Sequence, residues 1–288
     1  MNNINIEKQE GNITLVLGGT GKTGRRVVER LTALGVPIRI GSRSGTPPFD
    51  WDDQSTWSPA LQNVSAVYIA FYPDLAVPGA TSAIRSFSEL AVKSGVSRLV
   101  LLSGRGEEEA QNCEQIVQNS GADWTILRTS WFCQNFSEGF MRELVLSGEV
   151  ALPAGEVEEP FIDVDDIADV AVAALTEDGH AGQLYELTGS RLLTFTKSVE
   201  EIAKATNRKV QYKQISPEVF AAAMAEQGVP SDAVWLMNYL FTTVLDGRNA
   251  YLTDGVKRAL GREPRDFSDY VQKAAADGAW QERTINHG

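Results

Sequence analysis

Ile13-Thr14-Leu15-Val16-Leu17-Gly18-Gly19-Thr20-Gly21-Lys22-Thr23-Gly24 is the stretch that decides the fold. Its first five residues form an apolar, partly β-branched run, which reads as a buried strand, and the run ends directly in glycine. From Thr23 onward Val27, Val28, Leu31 and Leu34 fall on one helical face, until Gly35 and Pro37 stop the pattern. The spacing G-x-x-G-x-x-G at Gly18, Gly21 and Gly24 therefore sits between a strand and a helix, the context that gives such a motif its meaning. Gly18 permits a tight turn, Gly21 lets the backbone approach a pyrophosphate, Gly24 lets helix and strand pack closely, and the helix N-terminus adds partial positive charge. The ligand expected from this arrangement is a dinucleotide. Gly21-Lys22-Thr23 also resembles the end of a triphosphate-binding P-loop, but that motif needs a glycine five residues earlier, where the chain has Val16.

Working outward, Ile38 to Gly41 reads as a second strand and Ala66 to Ala70 as another. A helix is expected across Thr81 to Ser94, a strand from Arg98 to Leu102, a helix across Glu107 to Asn119 and a strand from Trp124 to Arg128. Strands and helices in this order imply an α/β, Rossmann-type, doubly wound parallel sheet with helices on both faces. Asp163-Val164-Asp165-Asp166 leads into Ile167, Val170, Ala171, Ala174 and Leu175, a capped packing helix with an acidic first turn. After about Gly189 the regularity fades into a helix near Val199 to Thr206, a strand Lys209 to Tyr212 and Ala-rich helical stretches. The expected organisation is a dinucleotide-binding domain over 11–188 and a smaller, mainly helical C-terminal substrate lobe over 189–288, laid against the carboxyl edge of the sheet.

Composition narrows the function classes. With 26 Lys and Arg against 38 Asp and Glu the formal net charge is -12, which opposes docking on nucleic acid and other polyanions. No run reaches the roughly 18 apolar residues of a membrane span, and Met1 to Glu7 lacks the features of a signal peptide, so a cytoplasmic chain with a polar, frayed start is expected. Cys113 and Cys133 read as free thiols, and His180 and His287 suggest neither a metal site nor a nucleophilic triad.

Where the second strand ends, sites for NAD place an acid, whereas Ser42, Arg43 and Ser44 stand here. A guanidinium fork between two hydroxyls suits a 2′-phosphate, and Lys22 adds to the field, so NADP(H) is the expected cofactor.

The Gly18 to Gly24 turn, the segment Trp124 to Phe136 (WTILRTSWFCQNF) and the segment Pro160 to Ala168 (PFIDVDDIA) together resemble the NmrA-like branch of the atypical short-chain dehydrogenases, over nearly the whole chain. Within that branch Gly41-Ser-Arg-Ser44 and Phe49 to Trp57 (FDWDDQSTW) are similar to the ergot-alkaloid-biosynthesis group that includes festuclavine synthase and agroclavine dehydrogenase. The resemblance implies that Gly18, Thr20, Gly21, Lys22, Thr23 and Gly24 hold the pyrophosphate and Ser42, Arg43 and Ser44 the 2′-phosphate. It further implies that Asp50 and Trp51 flank the adenine, that Ala70, Phe71 and Tyr72 line the ribose and nicotinamide side with Ser103 and Gly104, and that Trp131, Phe132 and Asn135 wall the substrate pocket.

Classical short-chain dehydrogenases use a Tyr-x-x-x-Lys pair, and no tyrosine here has a lysine four residues later. The expected activity is therefore hydride transfer to a small quinone-like, conjugated or iminium substrate, which asks little of a protein acid. Ser103, Tyr72 and Glu107 are the candidates for a proton donor. The alternative is a nonenzymatic NADP-sensing regulator that binds a protein partner; a nucleotide-sugar epimerase would need the missing dyad. A deep pocket carrying Trp235, Tyr239 and Phe241 would favour the enzyme, an exposed apolar surface the regulator.

Overall fold

The computed structural model describes residues 13–281; the readings of residues 1–12 and of His287 lie outside the described residues. Eight strands are described: β1 (Ile13–Leu17), β2 (Ile38–Gly41), β3 (Val64–Ile69), β4 (Arg98–Gly104), β5 (Asp123–Thr129), β6 (Glu149–Leu152), β7 (Gln183–Leu187) and β8 (Gln211–Gln214). Six of them form one sheet in the order β2-β1-β3-β4-β5-β7, and β6 pairs with β8 in a second. β1 is parallel to both β2 and β3, and β3 to β4, with Leu17 opposite Gly41 and Val16 opposite Tyr68. The Rossmann-type sheet expected from the sequence is thus present.

The apolar runs explain the sheet's centre. Leu15, Val16 and Leu17, Val67 to Ile69 and Leu99 to Leu101 have no exposed surface, as expected of parallel strands covered on both faces. The helix Lys22–Ala33 turns Val27 and Leu31 into the core and Leu34, just past its end, is 63% exposed. Arg30 of this helix holds Asp169 of the helix Val164–Thr176 at 2.6 Å.

The described residues divide into two compact units, one of residues 13–103, 111–127 and 168–184, the other of residues 104–110, 128–167 and 185–281. The first contains the glycine turn and the strands around it. The second has its own core, in which Phe136, Phe161, Phe195, Phe241 and Phe267 pack with Val145, Val150 and Leu152. β8, foreseen at 209–212, joins this unit through its register with β6, from Glu149 opposite Gln211 to Leu152 opposite Gln214. β6 and β7 are strands that the sequence analysis does not mark.

Candidate functional site

In the first unit the order of the strands sets the site. The chain leaves β1 for β2 on one side and returns as β3 on the other, so the carboxyl ends of β1 and β3 part at a crossover, where open α/β sheets bind ligands. Gly18 begins the turn there with φ +65, in the left-handed region that favours glycine. A Cβ on Gly18 would stand 3.1 Å from the Ala70 Cβ, so the turn lies directly against the end of β3. The Gly18 carbonyl accepts the Gly21 N–H at 2.8 Å, and a Cβ on Gly24 would collide with that same carbonyl.

Gly21 differs from both neighbours. Its φ of -81 is open to any residue, and the nearest atom to an added Cβ is the Gly18 oxygen at 3.2 Å. It is the N-cap of a 12-residue helix, exposed, with no side-chain cap and no acid in the first turn among the described residues. Its own backbone therefore demands glycine far less than the approach of a ligand would. The uncapped amides that follow are a ready site for an anion. Thr20 is exposed and Lys22 half-buried; Thr23 is buried and its hydroxyl accepts the Tyr68 hydroxyl at 3.0 Å. Burial pushes the Tyr68 phenol up, so it stays a donor.

At the end of β2 the loop is closed by its own backbone, the Ser42 carbonyl accepting Gly45 N–H at 3.0 Å and Phe49 N–H at 2.9 Å. The hydroxyls of Ser42 and Ser44 lie 3.4 Å apart around Arg43. Among the described residues Arg43 has no hydrogen-bond or ion-pair partner, and it is exposed. Asp50 is committed locally: its carbonyl accepts Trp57 Nε1 at 2.7 Å and its carboxylate accepts Asp52 N–H at 3.1 Å. Half-buried Trp51 packs on Phe71 at 4.8 Å and edge-on to Phe49 at 5.0 Å, so residues far apart in sequence meet as one aromatic surface. Tyr72 is 75% exposed. Ser103 is buried and its hydroxyl donates to Glu114 at 2.6 Å.

In the second unit Gly104 has the Glu107 carboxylate packed where a Cβ would stand, and Glu107 is itself buried. Trp131 is half-buried between Phe241 at 4.9 Å and Phe195 at 5.9 Å. Phe241 comes from a π-helical turn, Leu240–Val244, a rare widening that recurs at functional sites. Phe132 bridges to Ile162, and Asn135 follows in a 3-10 turn, Cys133–Phe136. Trp235 stacks on Tyr239 at 5.7 Å, and the Tyr239 hydroxyl donates to Glu109 at 2.9 Å. Partial burial first, and then Glu109, push this phenol up to about 12.

Two buried ionisable residues beside this segment escaped the sequence analysis. Arg105 is 2% exposed and bonds Glu186 at 2.7 Å and the Ser130 hydroxyl at 3.0 Å. Glu159 is 1% exposed and accepts the Trp131 N–H at 3.3 Å; burial pushes its carboxyl up to about 7. The available signals were an arginine between two glycines just past a strand, Gly104-Arg105-Gly106, and a carboxylate opening an apolar segment, Glu159-Pro160-Phe161. Among the described residues no group of three or more His, Cys, Asp or Glu could hold a metal, and no helix is long and apolar enough to cross a membrane.

Residues 107–271 match the model of the NmrA-like family. The chain is 32% identical to the uncharacterised oxidoreductase YesF of Bacillus subtilis (strain 168), over 92% of this chain and 96% of that protein. It is 31% identical to agroclavine dehydrogenase of Claviceps fusiformis, over 89% and 95% respectively. Among solved structures it resembles an NADPH-dependent quinone oxidoreductase from Escherichia coli complexed with NADPH, with a TM-score of 0.76, 21% identity and coverage of 90% of this chain and 99% of that one.

Proposed function

Because this chain belongs to the NmrA-like family, we propose that it is an NADP(H)-dependent reductase that delivers hydride to a small quinone-like, conjugated or iminium substrate. The observation that carries this reading is the pair formed by the open Gly21 cap and the exposed Arg43, which has no partner among the described residues, standing at the ends of adjacent strands β1 and β2. When bound, the nicotinamide supplies the hydride.

The chain's own residues then do the following. The amides of Lys22, Thr23 and Gly24 bind the pyrophosphate and Gly21 admits it. Arg43 and the Ser42 and Ser44 hydroxyls take the 2′-phosphate through charge-assisted bonds. Trp51, with Asp50, Ala70, Phe71 and Tyr72, orients the nucleoside portion, and the C-terminal lobe with Trp131, Phe132 and Asn135 orients the substrate and excludes water. Reduction of an iminium carbon generates no oxyanion, and a reduced quinone takes its protons from solvent. The buried, engaged Ser103 hydroxyl and the exposed Tyr72 therefore need not act as acids.

The test is an NADPH fluorescence titration followed by a consumption assay with quinones, azo dyes and cyclic imines. Saturable binding with turnover is expected. Tight binding without turnover across the panel would replace the reductase by a sensor of the NADP pool, and no binding would overturn both.

A further inference from the structure

Arg105, the first residue after β4, stands in an unusual position for an arginine, since a buried guanidinium is costly unless its charge and donors are met. Here they are. Nε donates to the Glu186 carboxylate at 2.7 Å, one Nη to Ser130 Oγ at 3.0 Å and the Asn249 carbonyl at 3.2 Å, and the other Nη to the Tyr251 carbonyl at 3.3 Å. The guanidinium lies over the Tyr251 ring at 4.4 Å, and the Tyr251 hydroxyl donates to the same Glu186 oxygen at 2.8 Å. The Arg105 backbone is held as well, its N–H on the Thr129 carbonyl at 3.1 Å and its carbonyl on Asn249 Nδ2 at 3.2 Å. Gly106 makes room for this, since a Cβ there would stand 2.6 Å from Asn249 Nδ2.

These contacts converge on one short stretch. Ser130 is fixed through its hydroxyl by Arg105 and through its N–H by the Leu187 carbonyl at 3.1 Å. The next residue, Trp131, is fixed through its N–H by buried Glu159, whose own backbone is paired in both directions with Leu193. The Trp131 carbonyl then accepts the Ile162 N–H at 2.9 Å, and the Ile162 carbonyl accepts the Cys133 N–H at 2.9 Å. A segment leaving a sheet would ordinarily be mobile at this point. Here two buried ionisable side chains hold its first two residues.

We infer that Arg105 and Glu159 are a pair of positioning residues that set the Ser130–Asn135 segment, and with it Trp131, for the substrate. The inference rests on the reading of Trp131, Phe132 and Asn135 as substrate-side residues. Arg105 suits this task better than lysine would, because only a planar fork reaches a carboxylate, a hydroxyl and two carbonyls at once. All the residues named here belong to the second unit, whereas the glycine turn and Arg43 belong to the first.

The full-length protein and its Arg105→Lys, Glu159→Ala and Glu159→Gln variants are compared by NADPH titration and by steady-state kinetics with the best substrate of the panel. Trp131 is followed by fluorine NMR of 5-fluorotryptophan-labelled protein, its resonance assigned with Trp131→Phe. NADPH affinity is expected to stay within about twofold in all three, as the altered sites and the turn share no partners. Arg105→Lys and Glu159→Ala are expected to lower kcat by about tenfold to a hundredfold, through misplacement of the substrate, and to shift or broaden the Trp131 resonance. Glu159→Gln, whose amide oxygen still accepts the Trp131 N–H, is expected to recover both to within about threefold of the parent. An unmoved Trp131 resonance in Arg105→Lys, or a glutamine variant behaving as the alanine one, overturns the inference. If nothing in the panel turns over, the reductase reading falls, and the resonance alone decides this one.

Discussion

At the scale of single residues, two of the motif glycines make separable predictions. Gly24 cannot carry a Cβ, because the Gly18 carbonyl occupies that space, whereas Gly21 meets nothing closer than 3.2 Å and has an ordinary φ. Gly24→Ala should therefore destabilise the fold itself, by about 1–3 kcal/mol as for an overpacked core position, read as a lowered denaturant midpoint. Replacement of Gly21 by a bulky residue should leave circular dichroism and the midpoint nearly intact and abolish NADPH binding. Undiminished binding in that variant would mean that the turn is not the dinucleotide site. Arg43→Ala separates the cofactors: with no partner to lose among the described residues, it should weaken NADPH binding by about 1–3 kcal/mol and leave NADH binding nearly unchanged, by parallel titrations. Equal losses would remove the 2′-phosphate assignment.

At the scale of elements, the helix Val164–Thr176 shows how the second unit ties its segments together. The Asp163 carboxylate accepts the Asp165 N–H at 2.8 Å, while the Gln134 amide donates to that carboxylate at 2.6 Å and accepts the Val164 N–H at 2.9 Å. Two side chains from different segments thus satisfy the amides of one helix start. Asp166, in the same turn, is fully buried and paired with Arg262 and Arg265. Gln134→Ala leaves a buried N–H and a buried carboxylate short of partners, and should lower stability by about 2 kcal/mol in urea unfolding. A loss no larger than that of an exposed substitution would show that water replaces the amide.

The acidic first turn of that helix was legible in the sequence; its glutamine partner, 30 residues away, was not, because a side chain that caps another segment's helix leaves no local pattern. The same contrast runs through the strands. β1, β3 and β4 are built on apolar runs and β5 on a shorter apolar, β-branched centre, so they announce themselves, and β8 is seen within about two residues. β6 and β7 are short and mix charged residues with apolar ones, as in Gln183-Leu-Tyr-Glu-Leu187, and only their pairing makes them strands. The glycine turn and Arg43 were readable because their chemistry lies in one stretch each. Arg105 and Glu159 were not, because their meaning depends on Ser130, Glu186 and Asn249, which the fold alone brings together.

For the molecule as a whole, the buried carboxyl of Glu159 sets how stability responds to pH. Burial raises it from 4.5 to about 7, opposed by the Trp131 N–H and Arg105. Between those values the folded chain retains a proton that the unfolded chain releases. The contribution of Glu159 is therefore fully favourable below about pH 4.5, declines as pH rises towards 7 and is absent above that. Asp163, also raised by burial, acts in the same direction. Glu159→Gln removes the titration, so the parent should lose stability relative to this variant between about pH 4.5 and pH 7, by as much as about 3 kcal/mol. Urea midpoints of the two proteins across that range provide the measurement, and a difference independent of pH would mean that Glu159 stays ionised in the fold.

The division into two compact units has a consequence for how the chain is made. The backbone changes unit after residues 103, 110, 127, 167 and 184, so neither unit is a continuous stretch. A nascent chain emerging from the ribosome at residue 127 carries the glycine turn, four strands and most of a fifth, yet it still lacks the helical and strand residues 168–184 that complete the first unit. The second unit closes only when the segment that reaches Arg105 from Asn249 and Tyr251 has been synthesised. The first unit is therefore complete well before the second, and a gene cut before residue 184 would leave both units incomplete.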